Sequence, residues 1–212
     1  LRAIEKILAQ KRTALTLVPE IGLTPQVSHL FRSWFGGKVA ILHSRLSNGE
    51  RFDQWRKIRD GEIRVVVGTR SAIFAPLENL GLIIVDEEHD ASYKQGDQPR
   101  YNARDTALKR GQIEGATVIL GSATPQLETY NNALNRGLHL YIPIRKRILA
   151  RSLPEVSIVD MGEEFRRQGR ASSLSGVLRE KIASRLEQGE QVLVFLNRRG
   201  YASMVLCRSC GY

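Results

Sequence analysis

Cysteine is almost missing from this sequence. Only Cys207 and Cys210 occur among 212 residues, too few for a disulfide-built scaffold. Long apolar runs are missing too. The longest, around Gly81-Leu-Ile-Ile-Val85, falls far short of the roughly 18 residues that a membrane helix needs. Leu1–Gln10 is a mixed charged segment without the apolar stretch of a secretory leader. Acid is in short supply: 22 Asp+Glu stand against 32 Lys+Arg, a formal charge of +10. A polyanionic partner is favoured, nucleic acid before an anionic membrane surface. The plain alternative is a domain that happens to be basic. What is present is 42% hydrophobic residues, enough for an ordinary core, which excludes wholesale disorder.

Short β-rich runs alternate with helical stretches. Strands are expected at Thr13–Val18, Val39–Leu42, Ile63–Val67, Leu82–Val85, Thr117–Leu120, Val156–Val159 and Gln191–Leu196. Helices are expected at Arg2–Gln10, Pro25–Phe35, Ser47–Arg59, Ala103–Arg110, Pro125–Asn135 and Ser175–Glu187. Ser47 and Glu50 form a capping-box pattern, and Pro25 and Pro125 suit first-turn positions. Strands apolar on both faces belong in a parallel sheet covered on both sides, so the order implies a doubly wound α/β fold. Pro143–Pro154 carries Arg145, Lys146, Arg147 and Arg151 without an acid, and reads as a linker between two lobes. The expected division is residues 1–143, a basic linker 144–155, and 156–212 as the start of a second lobe. Glu163–Ser173 reads as an exposed basic loop. The chain opens without Met inside a helix-like segment and stops two residues after Cys210, so a piece of a longer protein is expected.

One strand runs into Asp86-Glu87-Glu88-His89. Ligands of open α/β sheets sit beyond the carboxyl ends of strands, and adjacent buried carboxylates are costly unless a cation offsets them. Asp86 suits a Mg²⁺ held alongside substrate phosphates. Glu87 suits orientation or deprotonation of a water for in-line attack on a phosphoryl group. The plain alternative is an acidic loop after a core strand. A second strand runs into Gly121-Ser122-Ala123-Thr124-Pro125, which alone could be a strand–turn–helix capped by Thr124. Cys207-x-x-Cys210 is half of a four-thiolate zinc site, or a redox pair without thioredoxin-like surroundings.

The acidic motif and the Ser-Ala-Thr motif together resemble motifs II and III of the superfamily 2 helicases. Other segments narrow the likeness: Leu17-Val-Pro-Glu-Ile-Gly-Leu-Thr-Pro25, Leu42-His43-Ser44, Gly68-Thr69-Arg70, Asp90–Gln95, Pro99–Asp105, Asn197–Tyr201 and Cys207–Cys210. In this order they resemble the primosomal protein N-prime family, the bacterial replication-restart DNA helicases, over nearly the whole chain.

That resemblance implies a RecA-like first lobe and the start of a second. It implies ATP with Mg²⁺ at Asp86 and Glu87, coupling of the nucleotide site to DNA through His89, and a link from hydrolysis to lobe movement through Ser122 and Thr124. Pro19, Glu20, Thr69 and Arg70 would touch single-stranded DNA, Arg70 and Thr69 at its phosphates. Tyr93 and Tyr101 would stack bases in a DNA-sensing loop, in which Pro99 stands where some relatives carry Trp. Cys207 and Cys210 would open a cysteine-rich insertion holding two Zn²⁺ ions. The implied activity is 3′-to-5′ unwinding of DNA at stalled forks and primosome loading. Its partners would be single-stranded and forked DNA, primosome proteins and single-stranded DNA-binding protein, in the bacterial cytoplasm, away from membranes. The phosphate-cradling G-x-x-x-x-G-K-[ST] does not occur in the chain, so these 212 residues alone are expected not to hydrolyse ATP. Two other classes stay open: a DNA-binding loading platform whose ATPase is dispensable, and a metal-dependent nuclease using Asp86, Glu87 and His89.

Overall fold

The computed structural model describes residues 1–20, 22–146, 154–168 and 174–195. The chain divides into two compact units, Leu1–Pro143 and Ile144–Tyr212. The first unit holds α1 (Arg2–Ala9), β1 (Thr13–Leu17), α2 (Pro25–Phe35), β2 (Val39–Leu42), α3 (Asn48–Arg59), β3 (Val65–Gly68), β4 (Leu80–Val85), α4 (Ala103–Glu114), β5 (Thr117–Leu120) and α5 (Leu127–Leu134). The described part of the second unit holds α6 (Met161–Gln168) and α7 (Gly176–Glu187).

The five strands form one parallel sheet in the order β2-β3-β1-β4-β5. Strands are added first on one side of β1 and then on the other. Residue alternation sends side chains to two separate cores. Leu15, Leu17, Val66, Ile83 and Val85 pack with Ile58 of α3 and Ala103 and Ala107 of α4. Ala14, Val18, Val65, Val67 and Leu82 pack with Ile4 of α1 and Phe31 of α2. Both faces are therefore covered, which is the doubly wound α/β arrangement that the apolar strands imply. The ends of α2 and α3 follow from local chemistry. Thr24 accepts the Val27 N–H ahead of Pro25, and Ser47 and Glu50 close a reciprocal capping box.

Several expectations need correction. β3 runs from Val65 to Gly68, not from Ile63. Gly68 extends it because a Cβ there would lie 2.5 Å from the Leu42 carbonyl oxygen and 2.6 Å from the Ala72 Cβ. α5 begins at Leu127 with Gln126 as N-cap, so Pro125 precedes the helix and Thr124 does not cap it. The expected loop 163–173 contains most of α6, whose acidic first turn at Glu163 and Glu164 suits a helix N-terminus. No strand forms over 156–159 or 191–195. Val156, Ile158, Leu193 and Phe195 there are 80%, 95%, 96% and 87% exposed, without neighbouring strands among the described residues to complete a ladder. Residues Asn197–Tyr201, Cys207 and Cys210 lie outside the described residues.

Candidate nucleotide and nucleic-acid site

The strand register lines up the carboxyl ends of four strands. Leu17 pairs with both Gly68 and Val85, and Val85 pairs with Leu120. The residues that follow therefore lie side by side: Val18 beside Thr69, and Asp86 beside Gly121. Main-chain bonds continue the ladder past the strands, from Asp86 N–H to Leu17 O (2.9 Å), Gly121 N–H to Val85 O (2.9 Å) and Glu88 N–H to Gly121 O (3.0 Å).

The acidic motif leaves the sheet through a strained residue. Glu87 has φ +46°, a left-handed conformation that a non-glycine residue adopts at a cost of about 1–3 kcal/mol and that clusters at functional sites. The turn separates the three carboxylates. Asp86 and Glu87 stay exposed, while Glu88 is buried. Asp86 Oδ1 accepts the Glu87 N–H at 3.1 Å. A Cβ built at the neighbouring Gly121 would lie 3.7 Å from that oxygen, in ordinary contact, while the Asp86 side chain itself is exposed. One exposed carboxylate at such an edge fits a Mg²⁺ that takes its other ligands from phosphate and water. Among the described residues no group of three or more His, Cys, Asp or Glu is arranged to hold a metal by itself.

His89 Nδ1 lies 2.7 Å from Ser122 Oγ and 3.6 Å from Glu87 Oε2. Ser122 Oγ also accepts the Thr124 N–H at 3.0 Å. The imidazole thus bridges the ends of β4 and β5, and Ser122 extends the link to Thr124. These residues form one connected group.

Glu88 was absent from the sequence-derived site, yet it organises the region. Its Oε1 accepts the Gln126 N–H at 2.7 Å, and its Oε2 accepts the Thr129 hydroxyl at 3.0 Å and Arg104 Nη1 at 3.3 Å. Arg104 also donates to Gln126 Oε1 and to Asp105. Burial opposes the guanidinium charge, but Asp105 and then Glu88 outweigh it and hold the Arg104 pKa above its ordinary value. Glu88 and Arg104 thereby tie the β4 turn to the starts of α4 and α5. Nothing local in the sequence marks Glu88 as the buried one of the three carboxylates; once buried, it requires the partner that Arg104 supplies.

The expected DNA residues divide. Tyr93 is 1% exposed, and its hydroxyl donates to the Asp86 carbonyl at 2.6 Å. No ring face is open to a base, so the stacking expectation is corrected: Tyr93 props the turn from below. Burial, followed by the charges of Asp86, Asp90 and Glu87, pushes its phenol pKa up. Pro19 is buried, and its carbonyl accepts the N–H groups of Gly22 and Leu23. Glu20 is exposed and accepts the Ser44 hydroxyl at 2.7 Å. Arg70 Nη1 donates to the carbonyls of Ser92 (3.0 Å) and Lys94 (2.8 Å). That guanidinium nitrogen holds the loop after the acidic motif. Tyr101 stays partly exposed, edge-on to Phe74 at 5.0 Å. Glu20, Ser44, Thr69, Arg70 and Tyr101 line one polar cavity of about 150 Å³. Four of the six expected DNA residues therefore meet at one opening, and Pro19 and Tyr93 are buried.

The family model for DEAD/DEAH box helicases matches residues 1–133. The chain belongs to the DEAD/DEAH box helicase family. Its doubly wound sheet is accordingly of the RecA-like kind. Three curated relatives are each named Replication restart protein PriA. That of Bacillus subtilis (strain 168) is 52% identical over 212 residues, all of this chain and 26% of the relative. That of Synechocystis sp. is 47% identical over 97% of this chain and 25% of its own length. That of Chlamydia pneumoniae is 46% identical over 99% and 28%. The chain thus spans about a quarter of these relatives, which bear the name expected from the N-prime resemblance. A solved C-terminal domain of yeast Dbp5 aligns over 59% of this chain and 69% of its own, at 16% identity and a TM-score of 0.41, too low to add to the fold assignment. Among the described residues no helix is long and apolar enough to cross a membrane.

Proposed function

We propose that this DEAD/DEAH box helicase chain is part of an ATP-dependent DNA helicase of replication restart, unwinding 3′ to 5′ at stalled forks and initiating primosome assembly. The observation that supports it most is the strained turn at Glu87, which leaves Asp86 and Glu87 exposed beside the His89–Ser122 contact. When bound, Mg²⁺–ATP supplies the phosphoanhydride bond whose hydrolysis drives the motor. Asp86 would hold the cation through its carboxylate. Glu87 would orient a water for attack on the terminal phosphoryl group and take its proton on a carboxylate oxygen as the phosphoanhydride bond breaks. His89, through Nδ1 and Ser122 Oγ, carries the state of that edge to Thr124 and the start of α5.

Glu20, Thr69, Arg70 and Tyr101 form the single-stranded DNA opening, with phosphate contacts that position without reading sequence. Residues 1–143 are the first helicase lobe, 144–155 a basic linker and 156–212 the start of the second lobe. Cys207 and Cys210 supply half of a zinc site in a cysteine-rich insertion carrying two zinc ions. Primosome proteins and single-stranded DNA-binding protein are the protein partners, in the bacterial cytoplasm. The names of the relatives and the basic charge support this reading.

The test is strand displacement by the full-length protein with ATP and Mg²⁺, on forks carrying either a 3′ or a 5′ single-stranded arm. Displacement that needs ATP and follows the 3′-to-5′ polarity is expected. DNA binding without ATP turnover overturns the motor assignment in favour of a loading platform.

A further inference from the structure

The helix α3 has no structural reason for its outward face. Only Ile58 of its residues is buried, and Gln54 is half-buried; the rest are exposed. Two of those exposed side chains are large aromatics, Phe52 at 62% and Trp55 at 41%. Surface aromatics of this size are normally engaged elsewhere. Trp34 on α2 shows the contrast: its indole N–H donates to Glu5 at 2.8 Å. Among the described residues neither Phe52 nor the Trp55 indole N–H has a hydrogen-bond partner of that kind. Arg59 lies 5.1 Å from the centroid of the Trp55 ring and also donates to Asp60.

The surroundings are cationic. Residues 44–59 contain Arg45, Arg51, Arg56, Lys57 and Arg59 against Glu50 and Asp53. Glu50 is committed to the capping box with Ser47, which draws its pKa below the ordinary carboxylate value. Asp53 lies 3.7 Å from Arg56. Arg45, Arg51 and Lys57 are exposed, with no acidic partner among the described residues. Arg51, Trp55 and Arg59 follow one another at four-residue spacing, with Phe52 beside them, so charge and π-face share one stripe of the helix. Helix α3 is also joined to the polar cavity. Ser44, which lines that cavity and bonds Glu20, lies three residues before the Ser47 cap.

We infer that the Arg51–Phe52–Trp55 face of α3 is a second contact surface for single-stranded nucleic acid, continuous with the opening at Glu20, Thr69, Arg70 and Tyr101. The inference rests on the nucleic-acid reading above and extends its path. Exposed rings take unpaired bases, which present a π-face whatever the sequence, and free arginines take the phosphates between them. A duplex offers no unstacked base to Phe52 or Trp55, which is why a single strand fits this face better.

The experiment uses the full-length protein and oligo(dT) of graded length, with a blunt duplex as control. Trp55→Ala combined with Phe52→Ala is expected to weaken oligo(dT) binding by about 5- to 100-fold. The loss should grow with oligonucleotide length as the strand reaches α3. Trp55→Phe should recover much of it, which a folding defect would not allow. Arg51→Ala is expected to lower the slope of log K against log salt by about 0.7. Unmodified protein that fails to bind oligo(dT) overturns both this inference and the reading beneath it. Normal binding by the unmodified protein, matched by the variants at every length, overturns this inference alone and points to a protein contact on α3. An equal loss on the blunt duplex overturns the single-strand assignment.

Discussion

The two halves of the sheet's carboxyl edge start from similar loops and end with opposite architectures. At β4 and β5 a buried carboxylate, Glu88, gathers Arg104, Gln126 and Thr129 behind the motif. At β1 and β3 the chain instead leaves a polar cavity lined by Glu20, Ser44, Thr69 and Arg70. A charge that must be transferred or stabilised needs fixed groups, because reorganisation at the moment of reaction is costly. A strand that must slide needs contacts that let go. The rigid half suits chemistry and the open half suits a moving polymer. Besides the β1–β4 pairing, Arg70, on β3's side, links them by donating to the carbonyls of Ser92 and Lys94 on β4's side.

Breaking the rigid half should give the largest effect. Glu88→Ala removes an acceptor of three hydrogen bonds and leaves Arg104, whose side chain is 11% exposed, short of one carboxylate. Breaking a buried pair by removing one partner costs about 3–5 kcal/mol. Denaturant unfolding of the full-length protein should show the unit Leu1–Pro143 unfolding earlier by that amount. Glu88→Gln, which keeps the shape and one carbonyl acceptor, should lose less. If both variants unfold like the unmodified protein, Glu88 does not organise this edge.

Glu87→Gln tests the chemistry of the same half without its scaffold. The change keeps the size of the side chain and removes the carboxylate proposed as the base. Steady-state ATP turnover of the full-length protein should fall by at least about 10² while nucleotide binding stays near normal. Normal turnover would move the water-activating role elsewhere.

Arg70 sharpens the comparison because it belongs to both halves. Read from sequence, it was a phosphate contact. In the structure its Nη1 donates to the carbonyls of Ser92 and Lys94, on either side of Tyr93. Arg70→Ala should therefore lower DNA stimulation of ATPase by about 10-fold even at saturating DNA, in line with loss of charge-assisted bonds. Arg70→Lys should recover only part, since the ammonium keeps the charge and its donors but not the planar guanidinium that sets Nη1 between the two carbonyls. Full recovery at saturating DNA would reduce Arg70 to a phosphate contact alone.

Much of this was legible in the residues. β1, β2, β4 and β5 could be read from apolar runs, because each has neighbours on both faces or along an edge that convert the pattern into a strand. The same pattern over 191–195 forms none, since strand propensity expresses the fit to a surrounding sheet and not the chain alone. The placement of Asp86, Glu87, His89 and Ser122 together could be read because each follows a strand end within a few residues. Glu88 and Arg104 lie 16 residues apart and meet only through the fold, as do Tyr93 and the Asp86 carbonyl. A tyrosine in a polar loop reads as exposed until tertiary packing buries it.

The smallest expected effect lies at the hinge between the two halves, at Asp90. Its side chain accepts the Ser92 N–H at 2.8 Å and caps the short turn that leads to Tyr93. The Ser92 side-chain and backbone bonds hold the Asp90 pKa below the ordinary carboxylate value. A carboxylate favoured in this way in the folded state adds stability above its unfolded pKa, near about 3.9, and the addition fades as pH falls through the lower folded value. Asp90→Ala should therefore cost about 0.5–1 kcal/mol at pH 7, the usual loss for a removed cap. The gap between variant and unmodified protein should stay level from neutral pH down to about 5 and narrow below about 4. Asp90→Asn keeps an acceptor for the Ser92 N–H and should show a smaller gap with little dependence on acid. Thermal unfolding across that pH range measures all three proteins side by side. A gap that widens in acid would mean that Asp90 is stabilised as its neutral form, and that the turn joining the two halves is held by something other than this cap.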